Sequence, residues 1–194
     1  MRPAALAAAV GVALMAACQP AAPPRAAALP PAKADTAPGS STMSLTLTSP
    51  SFSDGQPLPA KHAYRLQNLS PALAWGEPPA GTQSFALLVD DPDAPAGDWV
   101  HWVLWNLPAA TRELPEGVAK EARRADGSQQ GKNDFGNLGW DGPAPPSGTH
   151  HYHFKLLALD QPLPLAAGAG KKELLTATQG HELARAELVG TFTK

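Results

Sequence analysis

The chain has 194 residues and a formal charge of −2, so it lacks the basic footprint of a nucleic-acid binder. Its 22 prolines and 17 glycines argue against long helices and favour loops, turns and β structure. One cysteine, Cys18, cannot close an internal disulfide, so a hydrophobic core must hold the fold, and the chain is long enough for one such domain.

Residues 1–18 read as a secretory signal. Arg2 supplies a positive start, and Ala4 to Leu14 is an apolar run too short to span a bilayer as a mature helix. The run ends in Leu14-Met15-Ala16-Ala17-Cys18, which resembles the lipobox of bacterial lipoproteins. That resemblance implies cleavage before Cys18 and acylation of the cysteine. Several acyl chains on one residue hold a protein stably at a membrane, where one chain does not. With Gln19 rather than an aspartate next, the same resemblance implies the periplasmic face of the outer membrane. The alternative is an ordinary signal peptide, cut at the alanine-rich stretch, with Cys18 incidental.

Residues 19–43 read as a tether. The stretch is rich in Ala and Pro and has few large side chains, so it buries too little surface to fold. Extended, it reaches at most about 75 Å. The folded domain is expected over residues 44–194.

Within that domain, Leu45 and Leu47 alternate with Thr46 and Thr48, a strand pattern. Ser84 to Asp90 is apolar on both faces, as a central strand is. Trp99 to Asn106 is similar. Alternation places Trp99, His101, Val103 and Trp105 on one face and Val100, Trp102 and Leu104 on the other. His150 to Leu159 gives a third long strand, with His150, Tyr152, Phe154 and Leu156 facing inward and His151, His153 and Lys155 outward. A helix is expected at Lys171 to Thr178, stopped by Gly180. A short second turn follows at His181 to Ala186, before a last strand from Glu187 to Phe192. The spacing predicts a mainly β sandwich with short C-terminal helices.

Four stretches carry polar chemistry. Asp90-Asp91-Pro92-Asp93-Ala94-Pro95 follows an apolar strand directly. Its prolines remove donors and extend their predecessors, which makes a stiff lip able to aim a carboxylate, with Ala94–Pro95 a cis candidate. His101 lies in an aromatic, apolar strand, where a buried imidazole needs partners for both nitrogens. Gly139 to Gly148 is a Gly/Pro loop whose backbone can approach a ligand. Thr149-His150-His151-Tyr152-His153-Phe154 splits its histidines between two faces. Two outward histidines without a third ligand do not make a metal site, and no nucleophile motif is present. An aspartate with two histidines can perform acid–base chemistry or hold an anion.

Taken in order, these motifs resemble the phosphatidylethanolamine-binding protein family, in its bacterial Raf-kinase-inhibitor-like branch. The resemblance runs from about residue 44 to 194. It rests on Ser70-Pro71-Ala72-Leu73-Ala74-Trp75, Asp91 to Pro95, Trp99-Val100-His101-Trp102, Gly139 to Gly148, Thr149 to Phe154 and Glu187 to Phe192. It implies a β-sandwich with a small pocket for phosphate or a phosphoethanolamine-like anion. Carried over by motif, that pocket takes Asp91, Ala94 and Pro95 from the lip and Trp99 and His101 from the next strand. Trp140, Gly142, Pro145 and Pro146 form the rim, and His150 and Tyr152 the far wall. The implied role is a non-enzymatic envelope protein that binds a small anion without cofactor or metal. Modulation of a protein partner and homodimeric assembly are further expectations. Eukaryotic members regulate cytosolic kinases, which an exported protein does not meet. The competing reading is an envelope hydrolase or phosphoryl-handling enzyme with Asp91, His101 and His150 as acid–base groups.

Overall fold

The computed structural model describes residues 45–194. The expectations for the signal segment 1–18 with Cys18, and for the tether 19–43, fall outside these residues. Apolar runs separated by Gly/Pro turns fold into nine strands among the described residues. They are β1 (Leu47–Thr48), β2 (Gln56–Pro57), β3 (Leu73–Trp75), β4 (Ser84–Asp91), β5 (Trp99–Pro108), β6 (Glu113–Leu114), β7 (Gln129–Gln130), β8 (Thr149–Leu159) and β9 (Glu182–Thr193). One α-helix, α1 (Lys171–Thr178), lies near the C-terminus, and a single 3₁₀ turn spans Ala60–His62.

The strands make a three-stranded sheet, ordered β1-β3-β6, and a six-stranded sheet, ordered β2-β9-β8-β4-β5-β7. Strand β4 is buried along its whole length because β5 and β8 flank it on either side. Its side chains alternate between two cores. Phe85, Leu87 and Val89 join Leu73 and Trp75 of β3, Leu114 of β6 and Tyr152, Phe154 and Leu156 of β8 in the core shared by the two sheets. Ala86 and Leu88 join Val100, Val103, Trp105, Leu157 and Leu174 of α1 in the core on the other face.

Two expectations are corrected here. No second helical turn forms at His181–Ala186; β9 begins at Glu182, five residues earlier than its apolar pattern indicates. The reason is pairing, since β8 offers an antiparallel partner from His150↔Phe192 to Leu159↔Glu182. The second concerns His101. Register runs Val89↔Trp102 and then Asp90↔Val100, so His101 is the extra residue of a β-bulge. A bulge re-aims one side chain and breaks strict alternation. His101 therefore leaves the face of Val103 and Trp105. It points with Trp102 toward the shared core, with ring centroids 5.0 Å from Tyr152 and 6.3 Å from Trp140.

Candidate functional site: a cavity floored by Asp91, His101 and His150

Strand β4 delivers Asp90 and Asp91 to opposite faces. Asp90 is fully buried and is held by Lys155 at 2.7 Å and Lys171 at 2.7 Å. Lys171 also contacts Asp98. Asp91 turns toward the shared core at the end of the strand. Its Oδ1 accepts the Asp93 amide at 2.9 Å, an Asx turn that starts the lip. Its Oδ2 accepts Nδ1–H of His150 at 2.7 Å. Both side chains are buried, and a pair of this kind orients the ring as well as holding it. The Ala94–Pro95 peptide is trans, so the cis bond considered from sequence is absent.

The bulged His101 is fixed by a reciprocal pair of bonds. Its Nδ1 donates to the Asp141 carbonyl at 2.5 Å, and the Asp141 amide donates to the His101 carbonyl at 3.0 Å. Burial pushes the His101 pKa down, and the Asp141 carbonyl and the carboxylates of Asp91, Asp141 and Asp134 offset only part of this. The ring is therefore neutral at neutral pH.

Asp141 is itself held in place. Its buried carboxylate accepts from Lys120 Nζ at 2.5 Å, Asn68 Nδ2 at 2.8 Å, Asn133 Nδ2 at 2.8 Å and Asn137 Nδ2 at 2.9 Å. Burial alone would raise its pKa; the four donors together outweigh that and hold it below the usual carboxylate range. Asn68 also accepts the Gly142 amide at 2.9 Å through Oδ1. Gly142 packs so closely that a Cβ there would lie 1.8 Å from the His62 carbonyl oxygen.

These elements enclose a cavity of about 240 Å³. Of the pocket residues expected from sequence, Asp91, Ala94, Pro95, Trp99, His101, Pro145, Pro146 and His150 line it. Trp140, Gly142 and Tyr152 do not. Trp140 is 1% exposed and stacks on Phe154 with centroids 5.8 Å apart, so it is a core residue and not a stacking wall. Gly142 is occupied by the His62 contact. Tyr152 lies fully buried behind His101; burial and the Asp91 charge raise its pKa, so the phenol keeps its proton.

Ala96, Phe135 and Ala144 line the cavity without having been expected. Phe135 was visible as a lone aromatic in the polar turn Asn133-Asp134-Phe135-Gly136-Asn137. It meets Trp99 edge to face at 5.5 Å and is backed by Tyr64 at 4.5 Å. His151 and His153 face away, on Asp93 at 2.6 Å and Glu187 at 2.7 Å.

Residues 48–193 match the family model described as phosphatidylethanolamine-binding protein. The chain belongs to the phosphatidylethanolamine-binding protein family. A protein of Methanothermobacter thermautotrophicus, named UPF0098 protein, is 43% identical over 150 residues, which is 77% of this chain and 99% of that one. The UPF0098 protein YbhB of Escherichia coli is 42% identical over 158 residues, 77% of this chain and all of YbhB. Among solved structures, a phosphatidylethanolamine-binding protein homologue from Chlamydia trachomatis superposes with a TM-score of 0.71 at 37% identity, over 78% of this chain and 98% of that one. YbcL of Escherichia coli, described as a new member of the mammalian family, gives a TM-score of 0.70 at 34% identity over 77% and 98%. The mainly β architecture of this chain is thus that of the phosphatidylethanolamine-binding fold.

Proposed function

We propose that the protein is a non-enzymatic binding protein for a small phosphate-bearing anion, such as phosphate or phosphoethanolamine, in the Raf-kinase-inhibitor-like branch of its family. One observation carries the reading. Asp91, His101 and His150 converge on the floor of one cavity, and Nε2 of neither ring has a partner among the described residues. The surrounding wall is aromatic, alanine and proline, a small polar floor in an apolar cleft as ligand sites are built. Calorimetry with phosphate and phosphoethanolamine tests it. Binding is expected, and His101→Ala and His150→Ala should each weaken it tenfold or more. Unchanged affinity in both variants refutes the assignment.

Attachment through an acylated Cys18 on the periplasmic face of the outer membrane belongs to the same proposal. Intact mass measurement of the mature N-terminus should give a chain that begins at residue 18 and carries the acyl groups. An unmodified N-terminus after an alanine refutes it.

A second reading is favoured by the buried Asp91–His150 pair, which has the spacing of a carboxylate that orients a general base. On that reading the protein hydrolyses esters or phosphoesters. A substrate screen decides it: the activity must vanish in His150→Ala, and activity that survives belongs to a contaminant.

A further inference from the structure

The hydrogen-bonding character of the cavity follows from what each floor residue is already bonded to. A carbonyl oxygen only accepts, so Nδ1 of His101, 2.5 Å from the Asp141 oxygen, carries the hydrogen. In the neutral ring Nε2 is then a lone pair. Nδ1 of His150 likewise faces an acceptor, the Asp91 carboxylate at 2.7 Å. Asp91 adds a carboxylate to the same wall, an acceptor only. Nε2 of His101 and the Asp91 carboxylate therefore present acceptors to the cavity.

Little in the walls reverses this. No lysine or arginine lines the cavity among the described residues. Lys120 is engaged by Asp141, and Lys155 and Lys171 by Asp90 on the far face of the sheet. Across the rim Pro143-Ala144-Pro145-Pro146, prolines remove three of four amide donors and leave only that of Ala144. The Tyr152 hydroxyl is buried behind the wall and does not line the cavity.

An oxyanion that enters such a site meets lone pairs and a negative charge. We infer that the pocket selects oxyanions that bring their own hydrogen, namely phosphate or a phosphomonoester with a P–OH group, over oxyanions without one, such as sulfate and phosphodiesters. The inference rests on the anion-binding reading above and names the ligand class of that site. The P–OH donates to Asp91 or to His101 Nε2, while the other oxygens keep to the solvent side of the cavity. The apolar wall of Pro95, Trp99 and Phe135 receives the ester substituent. Without that hydrogen the contact becomes acceptor against acceptor, an unmade bond in a place water reaches poorly, and the ligand pays its desolvation without return. A phosphodiester still joined within a lipid has no ionisable P–OH, so the pocket takes a released headgroup or free phosphate in preference to the intact lipid.

The test compares ligands on the unaltered full chain. Titration calorimetry at about pH 6, where roughly half of a phosphomonoester still carries its P–OH, is run at constant ionic strength with inorganic phosphate, sulfate, phosphoethanolamine and dimethyl phosphate. Phosphate should bind at least tenfold more tightly than sulfate, and dimethyl phosphate no better than sulfate. Phosphoethanolamine binding apart from inorganic phosphate separates headgroup from free ion as the source. Sulfate within twofold of phosphate overturns the inference and leaves the anion reading standing; no binding by any of the four overturns both. In Asp91→Asn, whose amide can donate, the phosphate-to-sulfate ratio should fall below threefold. If that variant does not fold, His101→Asn serves the same purpose. A ratio unchanged in the folded variant overturns the assignment of acceptors.

Discussion

Replacing Asp141 with alanine removes the acceptor of four donors at once and leaves the cavity lining untouched. Lys120 is more than a third exposed and regains water at little cost. The buried amides have less freedom. Asn133 is 4% exposed, keeps its bond to the Gly139 carbonyl at 3.0 Å and loses a partner for its second hydrogen. Asn68 is partly buried and Asn137 is exposed. A buried donor left unpaired costs about 1–3 kcal/mol. With Asn133 counted fully and Asn68 in part, Asp141→Ala should lose about 2–4 kcal/mol. In a domain of this size that is a drop in Tm of roughly 10 °C. Asp141→Asn retains one acceptor oxygen and should lose less.

Urea unfolding of the two variants against wild type measures this directly. The pH dependence adds a sign check. Because the folded-state pKa of Asp141 lies below the usual carboxylate range, its contribution is full above that range and is lost as pH falls through the folded value. The gap between wild type and Asp141→Asn should therefore close in strong acid. The main-chain carbonyl of residue 141, which sets the His101 tautomer, remains in the alanine variant but is carried by the loop that the substitution frees, so the ¹⁵N shifts of His101 should report a mixed tautomer. A loss below about 1 kcal/mol, with the His101 shifts unchanged, would refute the argument that this carboxylate holds the loop.

Other outcomes follow from the same contacts. Gly142→Ala places a Cβ 1.8 Å from a main-chain oxygen and neither partner can rotate away, so the cost should exceed the usual 1–3 kcal/mol of overpacking; thermal melts check it. Phosphoethanolamine affinity should fall as pH rises through about 6, where a phosphomonoester loses its last proton, and calorimetry across pH 5.5 to 8 should show it. With a buried, neutral His101 at neutral pH, sulfate binding should emerge only on acidification, and sulfate affinity flat over the same range contradicts that.

Much of this architecture was legible because burial writes itself into composition. Strands β4, β5 and β8 are long apolar or alternating runs, and their ends carry Asp91, Trp99 and His150 into one place. The lip was legible because prolines on both sides of Asp93 leave the chain few conformations. What escaped depended on pairing and on distance. The bulge at His101 is a property of two strands in register, and period-two counting on one strand assigns the wrong face. Residues Glu182 to Ala186 form strand because β8 is long enough to bind them; Leu183, 41% exposed, adds nothing to the core. Asp141 collects Asn68, 73 positions back, and Lys120, 21 positions back, a convergence that spacing does not encode. The family motif assigns Trp140 to the pocket, yet its indole is buried against Phe154.

Two pairs of consecutive residues explain why one strand end serves both fold and site. In β4, period-two alternation sends Asp90 to Lys155 of β8 and Lys171 of α1 and Asp91 to the cavity floor. In β8, His150 meets Asp91 on the inner face, while on the outer side His151 donates to Asp93 through its amide at 2.9 Å and its ring at 2.6 Å. The lip is thus fastened to β8 from both sides, at Asp91 and Asp93 on the lip and at the adjacent His150 and His151 on β8. The outer pair is about half exposed on both partners, where an ion pair contributes little to stability, so its effect is positional: it sets where the lip can sit. The inner pair is buried and sets what the floor can accept. A ligand that draws on Asp91 or His150 therefore pulls on the anchored end of the lip, and Asp91 couples the shape of the cavity mouth to the hydrogen-bonding state of its floor.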